Sequence, residues 1–423
     1  MTQKDLARKS ISLIRLQYII LSEEDIVMNK NVERFIKYAK IDTQADENTG
    51  TTPSTEKQKN LSRLLVKELK ELGLEDAYMD EYGIVYAHLG GEGDVIGLNA
   101  HIDTALEVTD ENVNPRLVEK WDGKDIKLND KYTLSINEFP HMKAFIGKDL
   151  VVTNGNTLLG ADDKAGIAII MGVLEYIKNN PNFKHHPLAI AFTVDEEIGE
   201  GPKHFSLEKM KADYAFTIDG GAINHIDFEN FNAQQLKVKI DGVAVHPGEG
   251  KNTLINALQL QAEFINALPQ KETPFYADEG YWHLTSVNGT SEKVEFVAIL
   301  RNFSRQKLEE LDARILRIRD EMANKYPKAK IEVEISEQYE NMKQYVDKDP
   351  RPVKKAESAL RKLGIEPVFS RIKGGTDGAT FSKMGLVTPN LGTGSGNHHG
   401  RFEYLVVQDF EKMIEMVLEI IRR

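Results

Sequence analysis

The sequence predicts a two-domain α/β protein, in which a larger mixed-sheet domain built from two segments is interrupted by a smaller one. Three observations carry this. At 423 residues the chain exceeds the length over which one hydrophobic core keeps growing. Short apolar runs alternate with helical stretches on both sides of the middle. The middle itself reads β-α-β-β-α-β, the order of a ferredoxin-like sandwich. The expected boundaries are an extension over 1–27, the larger domain over 28–229 and 343–423, and the inserted domain over 230–342.

The elements follow in order. In the extension, Ser10 to Leu21 is apolar but broken by Arg15 and followed by Ser-Glu-Glu-Asp. It is too short to span a bilayer and lacks a small-residue cleavage site, so it reads as a short amphipathic extension, or as sequence upstream of a true start at Met28. Asn31 to Ala39 and Thr55 to Leu72 have helical spacing, the second opening at Pro53-Ser54-Thr55-Glu56. Ile84 to Ala87, Val95 to Ala100, Leu188 to Val194 and Tyr214 to Ile218 read as buried strands, and Ala165 to Lys178 as a buried helix between two of them. In the insert, the strands are Gln235 to Ile240, Tyr281 to Val287, Val294 to Leu300 and Lys330 to Ile335, with a turn at Asn288-Gly289; the helices are Asn252 to Leu268 and Arg305 to Lys325. Val353 to Leu363, Leu386 to Leu391 and Asp409 to Ile421 resume the larger domain.

Composition narrows the chemistry. Lys plus Arg number 54 against 66 Asp plus Glu, a net charge of −12, which argues against a nucleic-acid partner. Cysteine is absent, so any metal must be held by His, Asp and Glu, and a reducing cytoplasm is the expected location. No segment suggests membrane association.

Five acidic or histidine-bearing segments stand where apolar strands give way to loops: NAHIDTA (99–105), LGADDKAG (159–166), TVDEEIGEG (193–201), FTIDGG (216–221) and NHHGRFEY (397–404). In extended chain, residues two apart share a face, so Asp103 can stand behind His101 and fix its tautomer. Asp162 and Asp163 open a helix and could merely complement its dipole; alternatively Asp162 bridges two metals. Glu196 and Glu197 diverge from each other, so one can bind metal while the other meets water. Asp219 ends a buried strand and His399 follows a glycine-rich loop. Each alone has an ordinary structural explanation. Together they lie where α/β sheets bind ligands, and they amount to a two-metal site that activates water. His246, in VAVHPG, reads by itself as a turn histidine.

These segments, with VHPG, GGTDG (374–378), TPSTE (52–56), NVNP (112–115) and NFNA (230–233), match in order a dizinc peptidase family. That family holds tripeptide aminopeptidases, glutamate carboxypeptidases and aminoacylases, and the whole set is most similar to its tripeptide aminopeptidase branch, from about Met28 onward. The resemblance implies a zinc-peptidase catalytic domain carrying an inserted lid and dimerisation domain. It implies two Zn²⁺ per subunit (Co or Mn serving in vitro): His101 and Asp219 on one ion, Glu197 and His399 on the other, Asp162 on both. Asp103 would orient His101 and Glu196 would be the general base. His246 would reach a neighbouring subunit's site in a homodimer, and Arg301 would occupy a substrate-contacting lid position. Lys373 stands where the family pattern has Arg, which loses two-pronged carboxylate recognition. Residues 1–27 have no counterpart. The expected activity is release of the N-terminal residue from short peptides, mainly tripeptides. Two readings compete with it: a carboxypeptidase or N-acyl amino-acid hydrolase on the same scaffold, and a metal-free binding protein retaining the fold.

Overall fold

The computed structural model describes residues 29–423; the reading of Ser10 to Leu21 lies outside them. Eight strands form the main sheet, in the order 78–79, 85–89, 188–193, 96–101, 214–220, 390–392, 225–230 and 368–372. Ile96–His101 runs parallel to Leu188–Thr193 on one side and to Tyr214–Gly220 on the other, and the latter runs parallel to Asn390–Gly392. Edge pairings such as Val85–Leu89 with Leu188–Thr193 are antiparallel, so the sheet is mixed. Every residue of 96–101 and 188–193 is buried. That is why these strands read as unbroken apolar runs: helices cover both faces of a parallel sheet. Because the central strands are parallel, His101, Thr193 and Gly220 finish at the same sheet edge.

The helix Ala161–Asn179 packs on this sheet and against the helices Lys30–Ala39 and Val407–Ile421. Its first turn is irregular at Asp162 and Asp163, which have non-helical φ/ψ. The helix expected from Thr55 begins at Gln58. Ser54 does not cap it: the Ser54 hydroxyl donates to Asp195 at 2.5 Å, and the N-cap residue Lys57 has no side-chain cap bond.

Residues 232–339 hold a second, antiparallel sheet, ordered 280–289, 293–302, 232–241 and 330–339. The helices Ala257–Ala267 and Arg305–Lys325 pack on it and on each other, closing a separate core around Leu236, Val238, Phe264, Phe296, Leu308 and Ile315. The hairpin expected to turn at Asn288-Gly289 turns later. Both residues remain paired, with Glu295 and Val294, and the Thr290 N–H donates to the Lys293 carbonyl. Gly289 serves close strand approach instead, because a Cβ there would stand 2.4 Å from that carbonyl oxygen.

The two crossings between the sheets are tied by asparagine amides. Asn230 Oδ1 accepts from Met342 N–H at 2.7 Å, Asn232 Oδ1 from Asn341 N–H at 3.1 Å, and Asn341 Oδ1 from Asn230 N–H at 3.3 Å. The NFNA segment thus owes its asparagines to this clasp. A third, small sheet (395–396, 404–406, 150–152, 116–118) encloses Trp121, Leu134, Met142 and Tyr404, and supports the NHHGRFEY loop from below.

Candidate metal centre

The common sheet edge brings together side chains far apart in sequence. His101 closes its strand, Asp219 is the penultimate residue of its own, and Glu196 and Glu197 form a short 3₁₀ turn directly after Leu188–Thr193. Asp162 enters from the irregular helix start and His399 from the loop after Asn390–Gly392.

The distances divide the cluster in two. His101 Nε2 lies 2.9 Å from Asp162 Oδ1 and 3.6 Å from Asp219 Oδ1. His399 Nε2 lies 3.3 Å from Asp162 Oδ2 and 3.1 Å from Glu197 Oε2. The two oxygens of Asp162 therefore face two different ligand groups. Ligand atoms around a tetrahedral ion, each about 2.0–2.2 Å from it, stand about 3.3–3.6 Å apart. The observed spacings are close to that.

Electrostatics argue the same way. Burial and the Asp162 charge push the Glu197 carboxyl up to about 11 and Asp219 up to about 6. Burial also lifts Glu196 well above the carboxylate range, reinforced by Asp219, Asp377 and Asp162 against the pull of His101. Asp162 goes the other way: burial would raise it, but hydrogen bonds to His101 and His399 hold it well below. A hydrogen bond to Asp162 carries the His399 imidazole up to about 9 against burial. Glu197 Oε1 is buried without a hydrogen-bond partner. So many carboxylates cannot all ionise unless cations neutralise them, and an orphaned oxygen among them suits a ligand atom. Groups able to hold divalent metal are present, and the donor set of imidazole and carboxylate fits zinc.

Supporting contacts fix the geometry. Asp103, fully buried, accepts from the backbone N–H of Glu196 at 3.0 Å and of Glu197 at 3.1 Å; its backbone carbonyl lies 3.1 Å from His101 Nδ1 and its carboxylate 3.5 Å from the same nitrogen. Asp163 comes within reach of His101 and Asp219, but its oxygens already accept from the N–H groups of His101 and Gly166. Sequence reasoning gave no role to Glu403. It is buried and accepts from the backbone N–H of Leu159, Gly160 and Asp162, holding the segment that carries the shared carboxylate. A charged residue inside the otherwise aromatic and apolar run FEYLVV was its signal. Asp377, of GGTDG, is buried behind the cluster, where it accepts from Thr193 Oγ1 at 2.5 Å; burial lifts it to about 7. Glu107 stands 3.5 Å from His399 Nδ1, and nothing in the sequence pointed to it.

Three named residues stand outside the cluster. His246 is exposed on a 3₁₀ turn of the inserted domain, where its Nδ1 accepts from Gly248 N–H. Arg301 donates from Nη1 to the carbonyls of Gln234 and Leu300 and lies over the Tyr339 ring. Lys373 is ion-paired with Asp278 at 2.7 Å.

The model of Peptidase family M20/M25/M40 matches residues 153–423. Peptidase T of Clostridium perfringens is 44% identical over 401 residues, covering 93% of this chain and 99% of that protein. The chain belongs to peptidase family M20/M25/M40, in its peptidase T branch. Peptidase T of Halothermothrix orenii is similar at 45% over 402 residues, covering 93% of this chain and 98% of that protein. Among solved structures, aminopeptidase PepT from Bacillus cereus superposes with a TM-score of 0.74 at 23% identity, covering 92% of this chain and 97% of that one. The YXEP protein of Bacillus subtilis, a dinuclear metal-binding peptidase, gives 0.61 at 14%, with 92% and 96% coverage. At these identities the structures speak for the fold alone. Family membership makes this chain a metal-dependent hydrolase of peptide bonds, and among the described residues no helix is long and apolar enough to cross a membrane.

Proposed function

We propose that the chain is a cytoplasmic dizinc aminopeptidase that removes the N-terminal residue from tripeptides. The observation that carries this is Asp162, whose two oxygens face His101 with Asp219 on one side and His399 with Glu197 on the other. His101 and Asp219 would hold one ion, Glu197 and His399 the second, and Asp162 both. Bound there, divalent ions supply Lewis acidity that acidifies water and polarises the peptide carbonyl.

The chain's own groups do the rest. Asp103 fixes the His101 ring and, through two backbone N–H groups, the turn bearing Glu196. Glu196, next to the ligands but not paired with a cation, takes a proton on its carboxylate from the attacking water and returns it to the leaving amine. The ferredoxin-like insert acts as lid and dimerisation domain. His246 at its exposed turn reaches the site of a second copy to polarise the scissile carbonyl, and Arg301 meets the substrate's carboxylate.

The test is a series of di-, tri- and tetrapeptides, with N-acetylated and C-terminally amidated tripeptides alongside, hydrolysed by zinc- and cobalt-loaded protein of measured metal content. The expected result is two ions per chain, fastest turnover of the free tripeptide and none of the N-acetylated one. Cleavage of the N-acetylated peptide, or activity without metal, would overturn the proposal.

A further inference from the structure

Arg301 is half-buried, and among the described residues it has no carboxylate partner. Its Nη1 donates to two backbone carbonyls, and no carboxylate meets the guanidinium fork. A guanidinium held partly out of water without a counter-ion is costly unless an anion arrives to meet it. One structural feature keeps it in place. The Arg301 guanidinium carbon lies 5.3 Å from the centroid of the Tyr339 ring, a cation–π contact. Tyr339 ends the strand Lys330–Tyr339 at the point where the chain leaves the inserted domain, and it pairs there with Ala233.

The other neighbour of this ring belongs to the catalytic domain. A Cβ on Gly375 would stand 3.1 Å from one ring carbon of Tyr339 and 3.2 Å from the next. Gly375 has no unusual backbone that needs glycine; what it provides is space beneath the ring. Two residues on, Asp377 accepts from Thr193 at the end of the strand that leads into Glu196 and Glu197. Burial pushes the Tyr339 phenol up, while the Arg301 guanidinium beside it pulls the other way. Tyr339 is thus wedged between the lid's arginine and the loop behind the catalytic turn.

We infer that Tyr339 is a positioning residue for substrate recognition: seated on Gly375, it holds the Arg301 guanidinium at the mouth of the metal centre, where the peptide's C-terminal carboxylate binds. The inference rests on the aminopeptidase reading and adds a chain-length sensor to it. A free carboxylate at a set distance from the scissile bond favours one peptide length. The ring lies under the guanidinium and the phenol oxygen also interacts with it; the ring is assigned the larger part.

Steady-state kinetics on a free tripeptide and its C-terminal amide test this, with wild-type, Tyr339→Phe, Tyr339→Leu and Gly375→Ala proteins of verified metal content. Wild type should prefer the free peptide. Tyr339→Leu should reduce that preference about threefold to thirtyfold, the range to which a cation–π contact converts. The loss should appear in KM for the free peptide, with kcat little changed. Tyr339→Phe, which keeps the ring and loses only the hydroxyl, should retain most of the preference, and Gly375→Ala, which crowds the ring without removing it, should reduce it. Equal changes for both peptides in Tyr339→Leu, or a loss in Tyr339→Phe as large as in Tyr339→Leu, would overturn the assignment. So would a wild type that cleaves both peptides equally, although the aminopeptidase reading would stand. A metal-loaded wild type that cleaves neither would overturn that reading instead.

Discussion

The two halves of the candidate metal centre meet at one carboxylate but are built differently. His101 is 2% exposed, sits on a central strand and is backed by the fully buried Asp103. His399 is 43% exposed, comes from a loop and is backed by Glu107, itself 62% exposed. A ligand on a buried strand is held by the sheet before any ion arrives, whereas one on a loop must be ordered as the ion binds. The difference teaches that two sites with similar ligands need not bind equally. The His101 half should hold its ion tightly, and the His399 half should exchange.

The largest effect should come from the residue that joins the halves. Asp162→Asn should lose both ions and all measurable turnover, since a neutral amide cannot serve two dications; metal analysis after desalting checks this. Stoichiometric retention of two ions would separate the halves and remove Asp162 from the bridge. Next, Glu196→Gln should keep both ions and lower kcat by ~10² to 10⁴, because an amide cannot accept the proton. Near-normal turnover at full metal content would end the role given to Glu196.

The comparison itself is tested by the two backing carboxylates. Changes behind a metal-bound histidine typically cost about 10- to 100-fold in metal affinity. Asp103→Asn should fall at the upper end and also lower kcat, because Asp103 also holds the N–H groups of Glu196 and Glu197. Glu107→Gln should cost less than about tenfold, since solvent screens so exposed a pair. Chelator titration of the wild type should release the two ions in separate steps, the weaker one being that affected by Glu107→Gln. Release in one step, or equal losses in the two variants, would mean that burial does not distinguish the halves.

The same contrast governs what could be read from sequence. His101, Glu197 and Asp219 were legible because each carries chemistry at the end of an apolar run that the sheet buries, where a charged residue needs a reason. The clasp was not legible: Asn230 and Asn232 meet Asn341 and Met342 only because the inserted sheet brings its two ends together. Glu107 was hidden for a similar reason, since a carboxylate in a polar loop has no local signal, and its proximity to His399 depends on two distant loops. Asn288-Gly289 misled because an Asn-Gly pair also suits a strand whose neighbour needs to come close. Local pattern reports what the backbone requires of one segment; it is silent on bonds between segments.

The smallest effect should be at Lys373, and it bears on the boundary between the domains more than on the metals. The resemblance led to an expectation of Arg at this position and suggested a substrate contact. In the structure its Nζ pairs with Asp278 of the inserted domain at 2.7 Å, with side chains 57% and 88% exposed. Two residues earlier, Arg371 makes a two-pronged pair with Glu279 at 2.7 and 2.8 Å, and its guanidinium carbon lies 4.1 Å from the Phe303 ring centroid. The two pairs run in parallel from the end of one strand of the main sheet to one loop of the insert. Solvent screens ion pairs this exposed, so they contribute little, and neither Lys373→Arg nor Lys373→Ala should move the unfolding midpoint by more than a few degrees. Lys373→Arg should also leave the preference for free over amidated tripeptide unchanged, because Asp278 would occupy the new fork as it does the ammonium. A selective fall in KM for the free peptide would instead place this side chain on the substrate's carboxylate, beside Arg301, and give recognition two cations in place of one.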